Sequence, residues 1–361
     1  MSEFGRVLVT GAGGFIGGRV VEMFHVLGLA DVRAGVRRWS SAARIGRLPV
    51  EIHLCDVLDP QQVETAMKDV QTVIHCAHGP GETNAQGTAM VAAAALKHGV
   101  RRFVHISTMD VYGLTTGAID ESSPRTRAGR AYGDSKIAAE EQCEEFGRRG
   151  LPYVMLRPTI VYGPFSASWT IEFGERLQEQ PWPFHPNDAR GTCNLLYVDD
   201  LVWAIVLALR AEAAVGQAFN VNGTDRPTWH EYFQALNSAL DLPPLRTKSE
   251  AGARVHAMAM KPVKDTAKFA LRKFERTIRR LHQTSPLAKR VMKSAERVMR
   301  KAPTRDEIAL YSKQIDVSTE KADRLLGFRA RTPMPTGVNL SATWLKANGF
   351  IRSPVVMSSS E

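Results

Sequence analysis

The sequence predicts a doubly wound α/β fold built on a parallel sheet. Over the first 160 residues, short apolar runs alternate with helical patterns, and the glycine-rich stretch VTGAGGFIG joins the first run to the first helix. Near-continuous apolar runs are typical of strands buried on both faces of a parallel sheet. The strand–helix alternation favours repeated βαβ units over separate sheets and bundles.

The elements follow one another in a regular order up to residue 157. Apolar and β-branched residues predict the strands, and between them lie helical patterns, most clearly at 84–98, around the MVAAAAL stretch, and at 131–147. The predicted strands are 6–10, 31–36, 50–54, 72–76, 102–107 and 153–157.

The regular alternation of predicted strands and helices ends after residue 157. The Pro- and Gly-rich stretches 157–164 and 179–192 are predicted to be loops. Asp199 and Asp200 suit the first turn of a helix, where carboxylates meet the positive end of the helix dipole. A short strand at 218–221 and two closing helices, over 318–328 and 335–350, complete the prediction.

Composition is ordinary for a soluble globular protein, with 44% hydrophobic and 23% charged residues. The longest apolar run, 201–209, is too short to span a bilayer. No signal-peptide pattern precedes the first predicted strand, and the four cysteines lack metal-ligand spacing. We therefore expect a cytoplasmic protein with reduced cysteines and no bound metal.

The glycine-rich stretch predicts a phosphate-binding loop. Gly11, Gly14 and Gly17 stand at GxxGxxG spacing, with Gly13 as an additional glycine. Glycines in this position permit a tight turn and a close approach of the backbone, and the following helix offers its N-terminal N–H groups to a pyrophosphate. The alternative is a glycine-rich turn with a structural role alone.

The end of the second predicted strand favours NADP over NAD. An acidic residue there would bind the ribose 2′-hydroxyl, but Arg37 and Arg38 occupy this place. Guanidinium groups suit a 2′-phosphate through charge-assisted hydrogen bonds. NAD remains the alternative if both arginines are solvated surface charges. Asp56, after the third strand, is a candidate acceptor for the adenine amine.

Tyr132 and Lys136 are the candidate proton-transfer pair. They are four residues apart, so on a helix they share one face. A phenol has an ordinary pKa near 10, and a neighbouring ammonium is expected to lower it. Tyr132 could then exchange a proton with a substrate hydroxyl while a nicotinamide exchanges hydride with the same carbon.

Several motifs together resemble the extended short-chain dehydrogenase/reductase family, which contains nucleotide-sugar epimerases, dehydratases and reductases. They are the glycine loop, the hydroxyl before VYG, the YxxxK pair, LRPTIVYGP and YVDDL, and the resemblance spans roughly 1–235 and the last forty residues. It implies a Rossmann domain with a smaller C-terminal substrate lobe, and a homodimer formed through a four-helix interface.

The resemblance also assigns residues. Thr108, with Ser107 beside it, matches the catalytic hydroxyl, and Tyr132 and Lys136 match the proton-transferring tyrosine and the lysine that also holds the nicotinamide ribose. The full predicted cofactor set is Gly11, Gly13, Gly14, Phe15, Ile16, Gly17, Arg37, Arg38, Asp56, Val57, Cys76, Ala77, His78, Ser107, Tyr132, Lys136, Pro158 and Thr159.

Departures from the family's motifs reduce the number of activities that the resemblance allows. The family's sugar 4,6-dehydratases carry an acid pair before VYG, but here Met109 replaces the first acid and Asp110 the second, which argues against a 4,6-dehydratase. Asp110 is expected to have a structural or substrate-positioning role. Ile160 and Phe165 stand where nucleotide-sugar enzymes often carry Asn and Arg, so we expect a more apolar pocket.

The predicted function is hydride transfer to or from a hydroxyl or ketone carbon of a sugar, either nucleotide- or lipid-linked, as a reductase or an epimerase. One alternative is a reductase or dehydrogenase of a sterol- or isoprenoid-like alcohol. A second alternative is a non-catalytic NADP-binding sensor or scaffold. Predicted domains are a cofactor-binding core (1–160), a substrate lobe (161–250 and 306–352), a basic helical insertion (251–305) and a flexible tail (353–361).

The net charge of +10 is concentrated in the insertion. Between Arg254 and Arg305, 16 Lys and Arg stand against three acids, whereas the rest of the chain carries −3. Apolar residues at three- and four-residue spacing predict two basic amphipathic helices within 261–301. They could pack on the enzyme with solvated charges, or bind an anionic membrane surface. No recognised nucleic-acid-binding motif accompanies the basic residues, so the protein is not expected to bind nucleic acid.

Overall fold

The computed structural model describes residues 2–113, 115–178, 189–245 and 305–351. The predicted basic helices within 261–301, the predicted tail and most of the predicted loop 179–192 lie outside these residues. The chain forms two compact units. Unit 1 comprises 1–169, 194–226 and 315–337, and unit 2 comprises 170–193, 227–314 and 338–361.

The strands of the described residues lie close to their predicted positions. All the predicted strands are confirmed to within about a residue at each end. They are β1 (Arg6–Thr10), β2 (Asp31–Val36), β3 (Glu51–Leu54), β4 (Thr72–His75), β5 (Arg102–Ile106), β6 (Gly117–Ile119), β7 (Tyr153–Pro158), β8 (Ile160–Tyr162), β9 (Leu195–Tyr197), β10 (Gln217–Val221) and β11 (Ile315–Val317).

Seven of these strands form one parallel sheet in unit 1, in the order β10-β7-β5-β4-β1-β2-β3. The strand order reverses at β1, which pairs with β2 on one side and β4 on the other. Ligands of open α/β sheets bind outside the carboxyl ends of the strands at such a reversal. The predicted doubly wound fold is therefore present, and it defines where a site should lie.

The helices fill the intervals between strands, as predicted. The described helices are α1 (Phe15–Val26), α2 (Pro60–Met67), α3 (Thr83–Lys97), α4 (Ala131–Arg148), α5 (Glu172–Gln178), α6 (Val198–Arg210), α7 (Trp229–Ala239), α8 (Arg305–Ser312), α9 (Glu320–Leu326) and α10 (Met334–Ala347). The start of α2 shows the local cause: Pro60 occupies the first turn, and the Asp59 carboxylate accepts hydrogen bonds from the N–H groups of Gln61 and Gln62.

One loop prediction was wrong. Within the stretch 157–164, residues Ile160–Tyr162 form β8, which pairs in parallel with Leu195–Tyr197. An apolar run of three residues between Pro158 and Gly163 is too short to predict a strand. The pairing partner lies more than thirty residues away in the chain, so only the tertiary structure reveals it.

The core of unit 1 is built from the central strands and the helices that cover them. All residues of β4, β5 and β7 are buried, as strands covered on both faces should be. On one face Leu8, Val73, Phe103 and Met155 pack with Val91 of α3. This packing fixes α3 and α4 on the sheet and so positions the residues at the strand ends.

Unit 2 has an aromatic core of its own. Trp229 and Tyr311 have ring centroids 4.5 Å apart, and Phe173 packs edge-on against Phe233 at 5.2 Å. Helix α7 begins with a capping box, in which the Thr228 hydroxyl accepts from the N–H of Glu231. Across the described ranges, no helix combines the length and apolarity needed to cross a membrane.

Candidate active site

The glycine loop between β1 and α1 is as tight as its sequence predicts. Gly11 has a φ of +67°, and a Cβ atom there would lie 2.7 Å from the backbone nitrogen of Ala77. A Cβ on Gly17 would lie 2.4 Å from the carbonyl oxygen of Gly11. Side chains are therefore excluded at both positions, which holds the loop against the ends of β1 and β4.

The amino end of α1 has the features of a phosphate site. Gly14 is the N-cap residue and provides no side-chain cap, so protein side chains do not occupy the first N–H groups of the helix. Phe15 and Ile16 form the start of its first turn. A dinucleotide pyrophosphate fits this position, because it would accept from these N–H groups at the positive end of the helix dipole.

The residues predicted for the adenosine half lie beyond the ends of β2 and β3. Arg37 and Arg38 are exposed, and their side chains form no hydrogen bond or ion pair with the described residues. Asp56 follows β3 and accepts from the N–H of Leu58 at 3.1 Å, while Val57 is buried. Both guanidinium groups are thus available to an anion.

The residues after β4 line the loop from the other side. The backbone N–H of Cys76 donates to the carbonyl of Thr10 at 3.2 Å, and that of Ala77 lies 3.4 Å from the Thr10 hydroxyl. Burial lowers the pKa of His78, and the positive charge of Lys136 lowers it further. A neutral imidazole is therefore favoured at His78.

Lys136 lies within the first turns of α4 and is almost fully buried. Its Nζ donates to the carbonyl oxygen of Ile106 at 2.8 Å, which ties the helix to the end of β5. Burial lowers its pKa to about 8. Below that pH the group remains an ammonium ion, so at neutral pH it supplies a positive charge at the strand end.

Thr108 and Tyr132 meet at the same strand end. The Thr108 hydroxyl accepts from the N–H of Asp110 at 3.2 Å and caps the short turn Met109–Tyr112. Tyr132 stands one helical turn before Lys136 and is 48% exposed, so its phenol is open to a substrate. The structure thus brings together the hydroxyl, the phenol and the ammonium that the sequence selected.

The pKa of Tyr132 differs from the expectation. Although part of the side chain is exposed, the surrounding protein partly desolvates the phenol and raises its pKa above the ordinary value. The negative charge of Asp110 raises this pKa further, and the Thr108 hydroxyl lowers it in part. Lys136, whose Nζ donates to the carbonyl of Ile106, is not among the groups that shift this pKa. Tyr132 is therefore a phenol at neutral pH and is poised to donate a proton.

Asp110 forms an ion pair outside the catalytic set. Its carboxylate accepts from the Arg130 guanidinium at 3.1 Å, just before α4 begins. A Cβ on Gly133 would lie 2.8 Å from the carbonyl oxygen of Asp110, so the turn and the helix are closely packed. This pairing accounts for the expected structural role of Asp110.

Ser107 leads to a buried network that sequence reasoning missed. Its hydroxyl donates to Oε1 of Glu140 at 2.6 Å, and Arg157 donates to both carboxylate oxygens, at 2.9 and 2.7 Å. Arg157 also donates to the Tyr112 hydroxyl at 2.9 Å. The signals in the sequence were Glu140, placed four residues after Lys136, and an arginine inside an apolar strand.

Pro158 and Thr159 are the last two residues of the predicted cofactor set. Pro158 ends β7, and the buried hydroxyl of Thr159 donates to Oδ1 of Asn222 at 2.9 Å. Asn222 in turn donates to Oδ1 of Asn194 at 3.0 Å. The Thr159 side chain is thus committed to the protein, and its backbone N–H donates to the carbonyl of Val221 at 3.0 Å.

Comparison with known proteins places the chain in a family. A model of the NAD dependent epimerase/dehydratase family matches residues 7–222, which include the glycine loop, the strand-end hydroxyl and the Tyr132–Lys136 pair. The chain belongs to this family. The predicted relationship to the extended short-chain enzymes of the epimerase/dehydratase type is therefore confirmed, as is nicotinamide dinucleotide as the cofactor class.

Two of the similar proteins are named for the epimerisation of activated sugars. The UDP-glucose 4-epimerase of Vibrio cholerae is 28% identical over 255 residues, covering 66% of this chain and 76% of that protein. An Escherichia coli O157:H7 protein, N-acetyl-alpha-D-glucosaminyl-diphospho-ditrans,octacis-undecaprenol 4-epimerase, is 30% identical over 175 residues, covering 44% of this chain and 49% of that protein.

A solved structure supports the fold. The UDP-glucuronic acid 4-epimerase from Bacillus cereus, in complex with NAD, aligns with a TM-score of 0.70 at 18% identity, covering 94% of this chain and 96% of that chain. At this level of identity the likeness establishes the Rossmann-like α/β fold.

The buried Glu140–Arg157 pair generates the first prediction. Replacing Glu140 by Gln leaves the Arg157 charge buried without its counter-ion, so the free energy of unfolding should fall by about 3–5 kcal/mol in urea denaturation. The matched control is Glu141→Gln, which breaks the exposed ion pair between Arg127 and Glu141. It should lower the free energy of unfolding by about 1 kcal/mol or less. Equal losses in the two variants would contradict this account.

Proposed function

We propose that the protein is an NADP-preferring oxidoreductase or epimerase that acts on a hydroxyl or ketone carbon of a sugar. The observation that carries this proposal is the meeting of Thr108, Tyr132 and Lys136 at the end of β5, beside the glycine loop. A cofactor-binding sensor would not need a proton-transfer set, so we favour an enzyme over that alternative.

The proposed roles follow from the geometry. The nicotinamide, when bound, accepts or supplies hydride at the substrate carbon. Lys136 would supply positive charge at the end of β5, and the resemblance to the family assigns it to the nicotinamide ribose. Tyr132 exchanges a proton with the substrate oxygen, and its raised pKa suits proton donation to a ketone. Thr108, whose hydroxyl lowers the pKa of Tyr132 in part, would orient the phenol and the substrate oxygen.

The proposed substrate is a nucleotide- or lipid-linked sugar. The Vibrio cholerae and Escherichia coli relatives are named for substrates of these two kinds. Met109 removes one member of the acid pair of 4,6-dehydratases, so we place epimerisation and reduction ahead of dehydration. The second candidate is a sterol- or isoprenoid-like alcohol, because Ile160 is apolar and half-buried where nucleotide-sugar enzymes often carry Asn.

The catalytic assignment predicts the effect of Tyr132→Phe. The variant keeps the ring but loses the group that exchanges the proton, so turnover of a UDP-sugar substrate should fall by about 100-fold or more. Dissociation constants for the cofactor, measured by fluorescence titration, should stay close to those of the wild type. Mass spectrometry of material that copurifies with the protein would supply the substrate for the assay.

A second tyrosine provides the matched control. Tyr153 donates to the carbonyl oxygen of Gly216 at the opposite end of β7, so Tyr153→Phe should leave turnover nearly unchanged. Full turnover in Tyr132→Phe would refute the assignment and favour the sensor.

The cofactor preference is tested at Arg37 and Arg38. Replacing both by Ala should weaken NADPH binding by about 2–4 kcal/mol, because two charge-assisted contacts with the 2′-phosphate are lost. NADH binding should hardly change, and Arg148→Ala, an exposed arginine on α4, should affect neither cofactor. Isothermal titration calorimetry measures the six affinities, those of the wild type and the two variants for each cofactor. A wild type that prefers NADH would show that NAD is the cofactor.

We further propose that residues 261–301 attach the enzyme to the cytoplasmic face of a membrane. The support comes from the sequence, which combines a local charge of +13 over 254–305 with apolar residues at helical spacing. Each Lys or Arg near an anionic surface contributes about 1 kcal/mol, less where salt screens it. A lipid-linked sugar would then be presented at the surface where the enzyme resides.

Sedimentation with liposomes tests this attachment. Binding should rise with the fraction of anionic lipid, fall with salt, and disappear when Phe274, Ile278 and Leu281 are all replaced by Ser in a variant that remains folded. The control variant, Ile308→Ser, alters an exposed apolar residue outside the segment and should bind normally. A purified protein that ignores anionic liposomes at low salt would leave packing on the enzyme as the explanation.

A further inference from the structure

The backbone at Phe165 adopts a conformation that this residue type rarely adopts. Its φ is +70°, and it follows Gly163 and Pro164 in the loop after β8. The other non-glycine residues with positive φ in the described ranges are Asp69 and Asp241, whose short polar side chains tolerate it better. A bulky residue held in this region is strained, so neighbouring contacts must maintain it.

The guanidinium of Arg44 provides such a contact. Its Cζ lies 3.8 Å from the centroid of the Phe165 ring, in cation–π stacking geometry. Arg44 is itself fixed, because its Nε and Nη2 donate to the two carboxylate oxygens of Glu22 at 2.9 and 2.7 Å. Glu22 is buried, so Arg44 forms a rigid platform for the aromatic ring.

This platform adjoins the phosphate-binding end of α1. Nη1 of Arg44 donates to the carbonyl oxygen of Phe15, the first residue of the helix, at 3.1 Å. Gly18 leaves room for it, since a Cβ there would lie 3.1 Å from the same nitrogen. The stack therefore holds the loop 163–166 beside the helix end that fits a dinucleotide pyrophosphate.

We propose that the Arg44–Phe165 stack retains the bound dinucleotide. The contact anchors the loop 163–166 beside the pyrophosphate, and the dinucleotide dissociates when the stack opens. The positive φ of Phe165 makes the closed backbone unfavourable, and the contact with Arg44 helps to offset that cost. This inference rests on the nicotinamide cofactor that the proposed function uses.

Slow release would bear on the type of reaction. An epimerase returns the hydride to the substrate from which it came, so its cofactor can stay bound over many turnovers. Net reduction requires exchange of the oxidised cofactor in every turnover. The rate of cofactor release therefore separates the two activities that share Thr108, Tyr132 and Lys136.

Stopped-flow displacement of bound NADPH or NADH by excess unlabelled NADP or NAD measures this rate through the nicotinamide fluorescence. In Phe165→Asn, which keeps a residue tolerant of positive φ but removes the ring, dissociation should accelerate by about tenfold. The association rate should change little, because the phosphate-binding N–H groups are intact. Phe165→Tyr keeps the aromatic ring and should release the cofactor at the wild-type rate.

Phe165→Leu is a second test, in case Phe165→Asn fails to fold. It keeps apolar bulk without an aromatic face, so it should also release the cofactor faster, with a thermal unfolding curve recorded for each protein. Wild-type rates in both Phe165→Asn and Phe165→Leu would overturn the retention role while leaving the cofactor assignment intact. A wild type that binds neither cofactor would overturn both.

Discussion

The buried ion pair between Glu140 and Arg157 is the contact on which the candidate active site depends. Glu140 is fully buried on α4, and its carboxylate accepts from Arg157 of β7 and from Ser107 at the end of β5. Burying a carboxylate and a guanidinium is costly unless each satisfies the other. The helix and two strand ends therefore have one arrangement in which the charges are matched, and that arrangement fixes the residues around them.

The catalytic groups take their positions from this pair. Lys136 lies one helical turn before Glu140 and Tyr132 one turn before that, so all three project from the same side of α4. Thr108 is next to Ser107, which is bound to the carboxylate. Burial lowers the pKa of the lysine to about 8 and raises that of the tyrosine. A helix shifted by one residue would break the ion pair and the proton-transfer set together.

A second buried carboxylate organises the phosphate-binding side. Glu22 on α1 receives hydrogen bonds from Arg19, Arg44 and Arg47. Although its burial acts in the opposite direction, these guanidinium groups lower the pKa of Glu22 to about 2. The carboxylate thus stays charged at any physiological pH and holds Arg44 under the ring of Phe165. Both ends of the cofactor region are thus fixed by contacts between a buried carboxylate and guanidinium groups.

The sequence alone determined the sheet and the glycine loop and selected the candidate proton-transfer residues, because these depend on local patterns: apolar periodicity, glycine spacing, and a four-residue interval on one helix. It did not determine the strand Ile160–Tyr162, the partners of Glu140, or the raised pKa of Tyr132. Each depends on groups far apart in the chain that fold topology brings together, and burial and charge at that distance have no local signature. Phe165 shows the difference most directly. Its identity indicated an apolar pocket, whereas the tertiary structure stacks its ring on a guanidinium beside the phosphate site.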